Sequence, residues 1–194
     1  MNRIAIDVDE VLVPFVKPMA TWKKLSMPKE KCRYLYRDMF NITEKQSQKM
    51  VQEFYDSETF DMLQPIQDSQ SVIRLMRPHV DKMYIVTGRQ DCVREKTEDW
   101  LDFHFPGMFD DVILTNSFTS FELQKYDICH ALNLDTIVDD SDMTCGICKH
   151  WDMRSIHFAG KNGSPYEWCD VDDISVLSWM ELYKKLPPKF VDCM

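Results

Sequence analysis

The stretch "IAIDVDEVLVPF", residues 4–15, decides the fold. Its first half reads as a buried strand that runs out on two acids, Asp7 and Asp9. Residues two apart on a strand face the same way, so both carboxylates are directed at one spot beyond the sheet edge. Like charges at one spot repel unless a cation sits between them.

Outward from that strand, residues 16–63 carry apolar side chains at three- and four-residue spacing among charges, the pattern of helices. Thr43 followed by Gln46 has the form of a capping box, which places a helix start there. After "QPIQDSQ" the rhythm alternates. The pattern predicts helices over 69–80, 91–105, 120–133, 144–153 and 174–186, and strands over 82–88, 110–115, 134–140 and 154–160. Strands alternating with helices of this length imply βαβ crossovers and a doubly wound parallel α/β sheet. On this reading residues 1–15 and 66–194 form a Rossmann-like core, and 16–65 a small helical cap inserted after the first strand.

In open α/β sheets, ligands bind beyond the carboxyl ends of the strands. The first strand ends on Asp7 and Asp9, the second on Thr87, Gly88 and Arg89, and the fourth on Asp139 and Asp140. Four carboxylates delivered to one edge call for a cation, and hard oxygen ligands suit Mg²⁺.

The order of "DVDEV" at 7–11, "IVTGR" at 85–89, the helical lysine of "QKYDIC" and "IVDD" at 137–140 resembles that of the haloacid dehalogenase-like phosphatases. That resemblance implies that Asp7 is a nucleophile forming an aspartyl-phosphate, and that Asp9 protonates the leaving oxygen and then activates water. It implies that Thr87, Gly88 and Lys125 hold the phosphoryl group. Mg²⁺ would be bound by Asp7, the Asp9 carbonyl and one or both of Asp139 and Asp140. The chemistry asks for the same residue types, because a carboxylate can approach a phosphate only after cations have neutralised the phosphoryl oxygens. A general acid also needs a raised pKa, and partial burial of Asp9 beside other acids is expected to provide it.

Within that superfamily the segments "IAIDVDEVL", "KTEDWLDFHFPGMFDDVILT", "KYDICHALNLDTIVDD" and "IHFAG" resemble the type C 5′(3′)-deoxyribonucleotidase branch, which implies a nucleoside monophosphate as substrate. Glu10 stands where those enzymes carry glycine. Arg89, Phe15 and Trp22 are assigned to substrate contact, with a salt bridge at the surface as the other fate of Arg89. The remaining cap rings, Tyr34, Tyr36, Phe40, Phe54, Tyr55 and Phe60, are assigned to stacking on a base or to packing the cap. Rival readings are the same fold acting on another small phosphomonoester or a polynucleotide end, and a non-catalytic binding protein. "CGICKH" adds a thiol or zinc module at Cys145, Cys148 and His150, weighed against plain helix cysteines.

Composition narrows the partners. A net charge of −9 argues against general binding to nucleic acid or anionic membranes, which a basic face would hold. Seven cysteines at irregular spacing read as reduced thiols, and with no signal peptide or membrane span in the pattern they imply a cytoplasmic or nuclear protein. The resemblance implies a small-molecule phosphomonoester as partner, and a homo-oligomer is compatible with the sequence. "KKLPPKF" (184–190) reads as a helix stop and tail, and the terminal "DCM" places its cysteine too near the end for prenylation.

Overall fold

A computed structural model describes residues 2–186; most of the tail and the terminal "DCM" lie outside them. Strands β1 (Arg3–Ile6), β2 (Lys82–Thr87), β3 (Asp111–Leu114), β4 (Thr136–Asp139) and β5 (Arg154–His157) form one parallel sheet in the order β3-β2-β1-β4-β5. Chain order reverses beside β1, where successive crossovers run to opposite sides. A crevice opens at such a switch point, and β1 carries Asp7 into it.

Between β1 and β2 come α1 (Val16–Trp22), α2 (Tyr36–Phe40), α3 (Glu44–Tyr55), α4 (Glu58–Asp61) and α5 (Ser69–Met76). α6 (Arg94–His104), α7 (Lys125–Ala131), α8 (Asp142–His150) and α9 (Trp179–Lys185) follow, with a short hairpin of β6 (Gly160–Lys161) and β7 (Ser164–Pro165) before α9. Among the described residues no helix is long and apolar enough to cross a membrane.

Period-two alternation sorts the sheet's side chains onto two apolar layers. Ile4, Ile6, Met83, Ile85, Val138 and Ile156 face a large cluster that takes in α1, α3, α5 and α9. Ala5, Val86 and Ile137 face a smaller one with Cys129 of α7 and Cys148 of α8. Both faces are covered, which is why these strands read as nearly continuous apolar runs. The inserted helices share the larger cluster: Met19, Met50, Phe54 and Phe60 belong to the same contiguous set as the sheet residues.

Local chemistry sets the element ends. Thr43 and Gln46 form the reciprocal capping box at the start of α3. The helix expected over 120–133 begins only at Lys125, because side chains capture the preceding backbone: Phe118 N–H donates to Glu122 and Phe121 N–H to Thr119. The strand expected over 154–160 ends at His157. Asn162 and Gly163, both at positive φ (53° and 82°), then turn the β6–β7 hairpin, a signal that "NG" carries openly in the sequence.

Candidate active site

Register brings the acids together. Ile6 pairs with Ile85 on one side and Val138 on the other, so the next residue, Asp7, is level with Asp139. The Asp7 amide continues the ladder by donating to the Val138 carbonyl at 3.0 Å. One carboxylate oxygen from each of Asp7, Asp139 and Asp140 lies within 4.8 Å of the other two, and all three residues are buried.

Lys125, the first residue of α7, reaches into this group, with its Nζ 2.8 Å from Asp7 Oδ2 and 2.7 Å from Asp139 Oδ2. The remaining oxygens are steered by the backbone: Val8 N–H donates to Asp7 Oδ1 at 2.8 Å and Ser141 N–H to Asp139 Oδ1 at 3.0 Å. Burial works against the Lys125 charge, but Asp139 and Asp7 outweigh it and hold the ammonium above its ordinary range. Burial is also the main force on Asp7, pushing it up to about 7 despite Lys125, with Asp139 adding to the rise. Asp140 is driven well above the carboxylate range by burial and then by Asp139 and Asp7.

The cluster also carries a charge imbalance. Three carboxylates against one ammonium leave two negative charges unmatched when all are ionised (3 − 1 = 2). A divalent ion with hard oxygen preference fits that donor set in charge and in ligand type.

Asp9 departs from expectation. It does not belong to the acidic group, and its carboxylate instead meets the buried Arg89. Arg89 Nε lies 3.1 Å from Asp9 Oδ2 and Nη2 2.7 Å from Oδ1, while Nη1 donates to Thr97 at 3.0 Å. The Arg89 guanidinium also lies 5.0 Å from the Phe60 ring centroid. Arg89 is therefore not at the surface, and its guanidinium is held by Asp9 and Thr97. The strand ends after Ile6, so the same-side rule for residues two apart does not govern Asp9. Thr87 is fully buried at the end of β2, its hydroxyl accepting from the Arg89 amide at 3.4 Å, and Gly88 is close to Ser117.

Glu10 adopts φ 62° and turns its carboxylate inward, where Oε1 accepts from the Phe15 and Val16 amides at 2.9 and 2.6 Å. Its carboxyl thus seats the first turn of α1 on the loop that carries Asp7. Burial pushes Glu10 up to about 7 against those two hydrogen bonds.

Phe15 is 2% exposed, with the rings of Tyr36, Phe54, Tyr55 and Phe60 around it. Its ring packs the inserted helices, which corrects its assignment to substrate contact. Trp22 packs on Phe54 with Lys23 over its face. Cys145 and Cys148 are buried in α8 and His150 is exposed, and none belongs to the acidic group. Burial raises the Cys148 thiol to about 11, the opposite of a reactive thiolate.

The sequence reading missed the segment "SPYEWCD" (164–170). Tyr166 donates to the Glu10 carbonyl at 2.7 Å, Trp168 Nε1–H to Asp140 Oδ2 at 3.1 Å, and Cys169 to the Asp140 carbonyl at 3.2 Å. Its signal, two aromatics at period two, is shared by any edge strand. A cavity of about 430 Å³ lies between the end of the inserted segment and α6, lined by Phe60, Met62, Leu63, Lys96, Trp100 and Arg89. None of the clustered acids lines it.

Sheet order and acid placement together define a Rossmann-like α/β fold with its polar site at the switch point. In particular, this is the fold of haloacid dehalogenase-like hydrolases. The chain is similar to a hydrolase of the haloacid dehalogenase-like family from Streptococcus pneumoniae (13% identity, 87% of this chain and 89% of that one, TM-score 0.61). It is likewise similar to a dehalogenase (9% identity, 96% and 97%, TM-score 0.60). A third similar structure is described as a predicted phosphoglycolate phosphatase from Haemophilus somnus (12% identity, 85% and 89%, TM-score 0.58). No protein-family profile matches the chain, and no curated protein matches it by sequence.

Proposed function

We propose that the protein is a Mg²⁺-dependent phosphomonoester hydrolase working through an aspartyl-phosphate on Asp7. The observation that carries this reading is Lys125 bridging Asp7 and Asp139 beside Asp140, at the carboxyl ends of adjacent strands. A carboxylate nucleophile, a fixed ammonium and a site for a divalent cation are what attack on a dianionic phosphate requires. Displacement at carbon by a carboxylate needs no such concentration of charge, which sets the dehalogenase reading second.

Asp7, Asp139, Asp140 and the Asp9 carbonyl would hold Mg²⁺, which when bound neutralises phosphoryl oxygens and orients the phosphate. The chain's own groups do the rest. Lys125, Thr87 and Gly88 bind the phosphoryl oxygens. An Asp7 oxygen attacks phosphorus as the bond to the leaving oxygen breaks, and Asp9 donates a proton to that oxygen. Asp9 then takes a proton from water, whose oxygen attacks phosphorus and frees Asp7 and phosphate. Asp9 can donate only as the acid, so it must first leave its ion pair with Arg89 and take up a proton, which the final proton transfer from water restores.

The substrate class best supported by the quoted sequence resemblance is the (deoxy)nucleoside monophosphates. The rings of Tyr34 and Tyr36 are half-buried and close enough to Asp140 and Asp9 for those charges to raise their phenols beyond what burial does, so they offer an aromatic surface near the acids. The test is phosphate release from nucleoside monophosphates, sugar phosphates and an aryl phosphate, in Mg²⁺ and in EDTA, with Asp7→Asn alongside. Release that needs Mg²⁺ and vanishes in Asp7→Asn is expected; turnover in Asp7→Asn at the wild-type rate refutes the mechanism.

A further inference from the structure

Trp168 is 6% exposed and held between two rings. It stacks on Tyr166 at 4.7 Å between centroids and 6° between planes, and on Tyr34 at 5.0 Å and 20°. The two clamps have different origins, since Tyr166 belongs to the hairpin after β5 and Tyr34 to the inserted segment. Tyr166 is itself fixed by donating to the Glu10 carbonyl. The indole edge is aimed by this sandwich, and Nε1–H donates to Asp140 Oδ2 at 3.1 Å.

An indole N–H only donates, so this bond favours Asp140 as an acceptor in one rotation of its carboxylate. Asp140 has a second restraint in its backbone, where its carbonyl lies 3.2 Å from Cys169 Sγ and 3.3 Å from His157 Nε2. Main chain and carboxylate are thereby held by groups other than Lys125, whose Nζ pairs with Asp7 and Asp139. Partners that orient a metal-binding carboxylate set its affinity.

We propose that Trp168 is the positioning residue of the cation site: its indole N–H, aimed by the Tyr34–Trp168–Tyr166 stack, turns Asp140 toward Asp7 and Asp139 and so sets the affinity for Mg²⁺. The inference rests on the Mg²⁺ reading given above, and its test separates the two. Trp168→Phe keeps a ring in the stack and removes the donor. Mg²⁺ is titrated into wild type and variant by calorimetry and by intrinsic fluorescence, with thermal unfolding in EDTA as the control for folding.

In wild type, Mg²⁺ binding is expected to change the emission of an indole bonded to a metal-binding carboxylate. In Trp168→Phe that change should be lost although four of the five tryptophans remain, and the Kd for Mg²⁺ should rise about 10- to 100-fold. Wild type that binds Mg²⁺ and a folded variant with a Kd within about twofold of it overturn the role of Trp168 while leaving the phosphatase reading intact. Wild type that binds no Mg²⁺ overturns both. Should Trp168→Phe fail to fold, Trp168→Met, which fills much of the space and has no side-chain donor, is judged by the same Kd criterion.

Discussion

Replacing Lys125 by methionine keeps most of the side chain's length and removes its charge. The ammonium stands 2.8 Å from Asp7 and 2.7 Å from Asp139, on a side chain 13% exposed. At an effective dielectric near 20, each such contact is an attraction of about 6 kcal/mol before desolvation. Several kcal/mol of desolvation per ion offset most of that sum, and removing one member of a buried pair costs about 3–5 kcal/mol because the other charge is stranded. Here two carboxylates are stranded beside a third. Against a domain stability of about 5–15 kcal/mol, Lys125→Met in EDTA should be severely weakened. A divalent cation at the same acids would compensate for the missing charge, so the deficit should shrink in saturating Mg²⁺. Urea unfolding of both proteins, followed by circular dichroism in EDTA and in Mg²⁺, measures the two effects. A variant within about 0.5 kcal/mol of wild type in EDTA refutes the argument from the buried pair. A deficit that Mg²⁺ leaves unchanged refutes the cation at the three acids.

Two further outcomes follow from the neighbouring loop. Glu10 is protonated up to about pH 7 when folded but only to about 4.5 when unfolded, so the folded chain holds the extra proton between those values and loses stability as pH rises through them. Glu10→Gln removes this dependence, and relative to wild type it should gain about 3 kcal/mol between pH 4.5 and pH 8 in EDTA; a stability difference that does not vary with pH excludes it. For the buried ion pair, Arg89→Met and Asp9→Asn should each destabilise, with the double-mutant cycle giving a coupling above about 1 kcal/mol. A coupling near zero would mean that Asp9 and Arg89 contribute independently.

How much of this was legible in the chain depended on the range of the interaction. Strand β1, the alternation after residue 66, the capping box at Thr43 and the strand-end positions of Asp7, Thr87, Asp139 and Asp140 follow from local periodicity and from the rule that sites lie at carboxyl ends. Lys125 was legible as part of an ordered set of motifs, since no local feature separates a buried lysine from a solvated one.

The partner of Asp9 was not legible. Arg89 is 80 residues away, and only the packing of β2 against β1, with Thr97 and Phe60 holding the guanidinium, brings the two together. The burial of Phe15 follows from four rings spread over residues 36–60, and the grip of Trp168 on Asp140 spans 28 residues through a hairpin with no catalytic motif. Sequence determined which acids reach the sheet edge, because that is set by strand period and length. Tertiary structure decided which of them cluster with Lys125 and which takes an arginine, because partners for buried charges are chosen by proximity in the folded core and not by spacing along the chain.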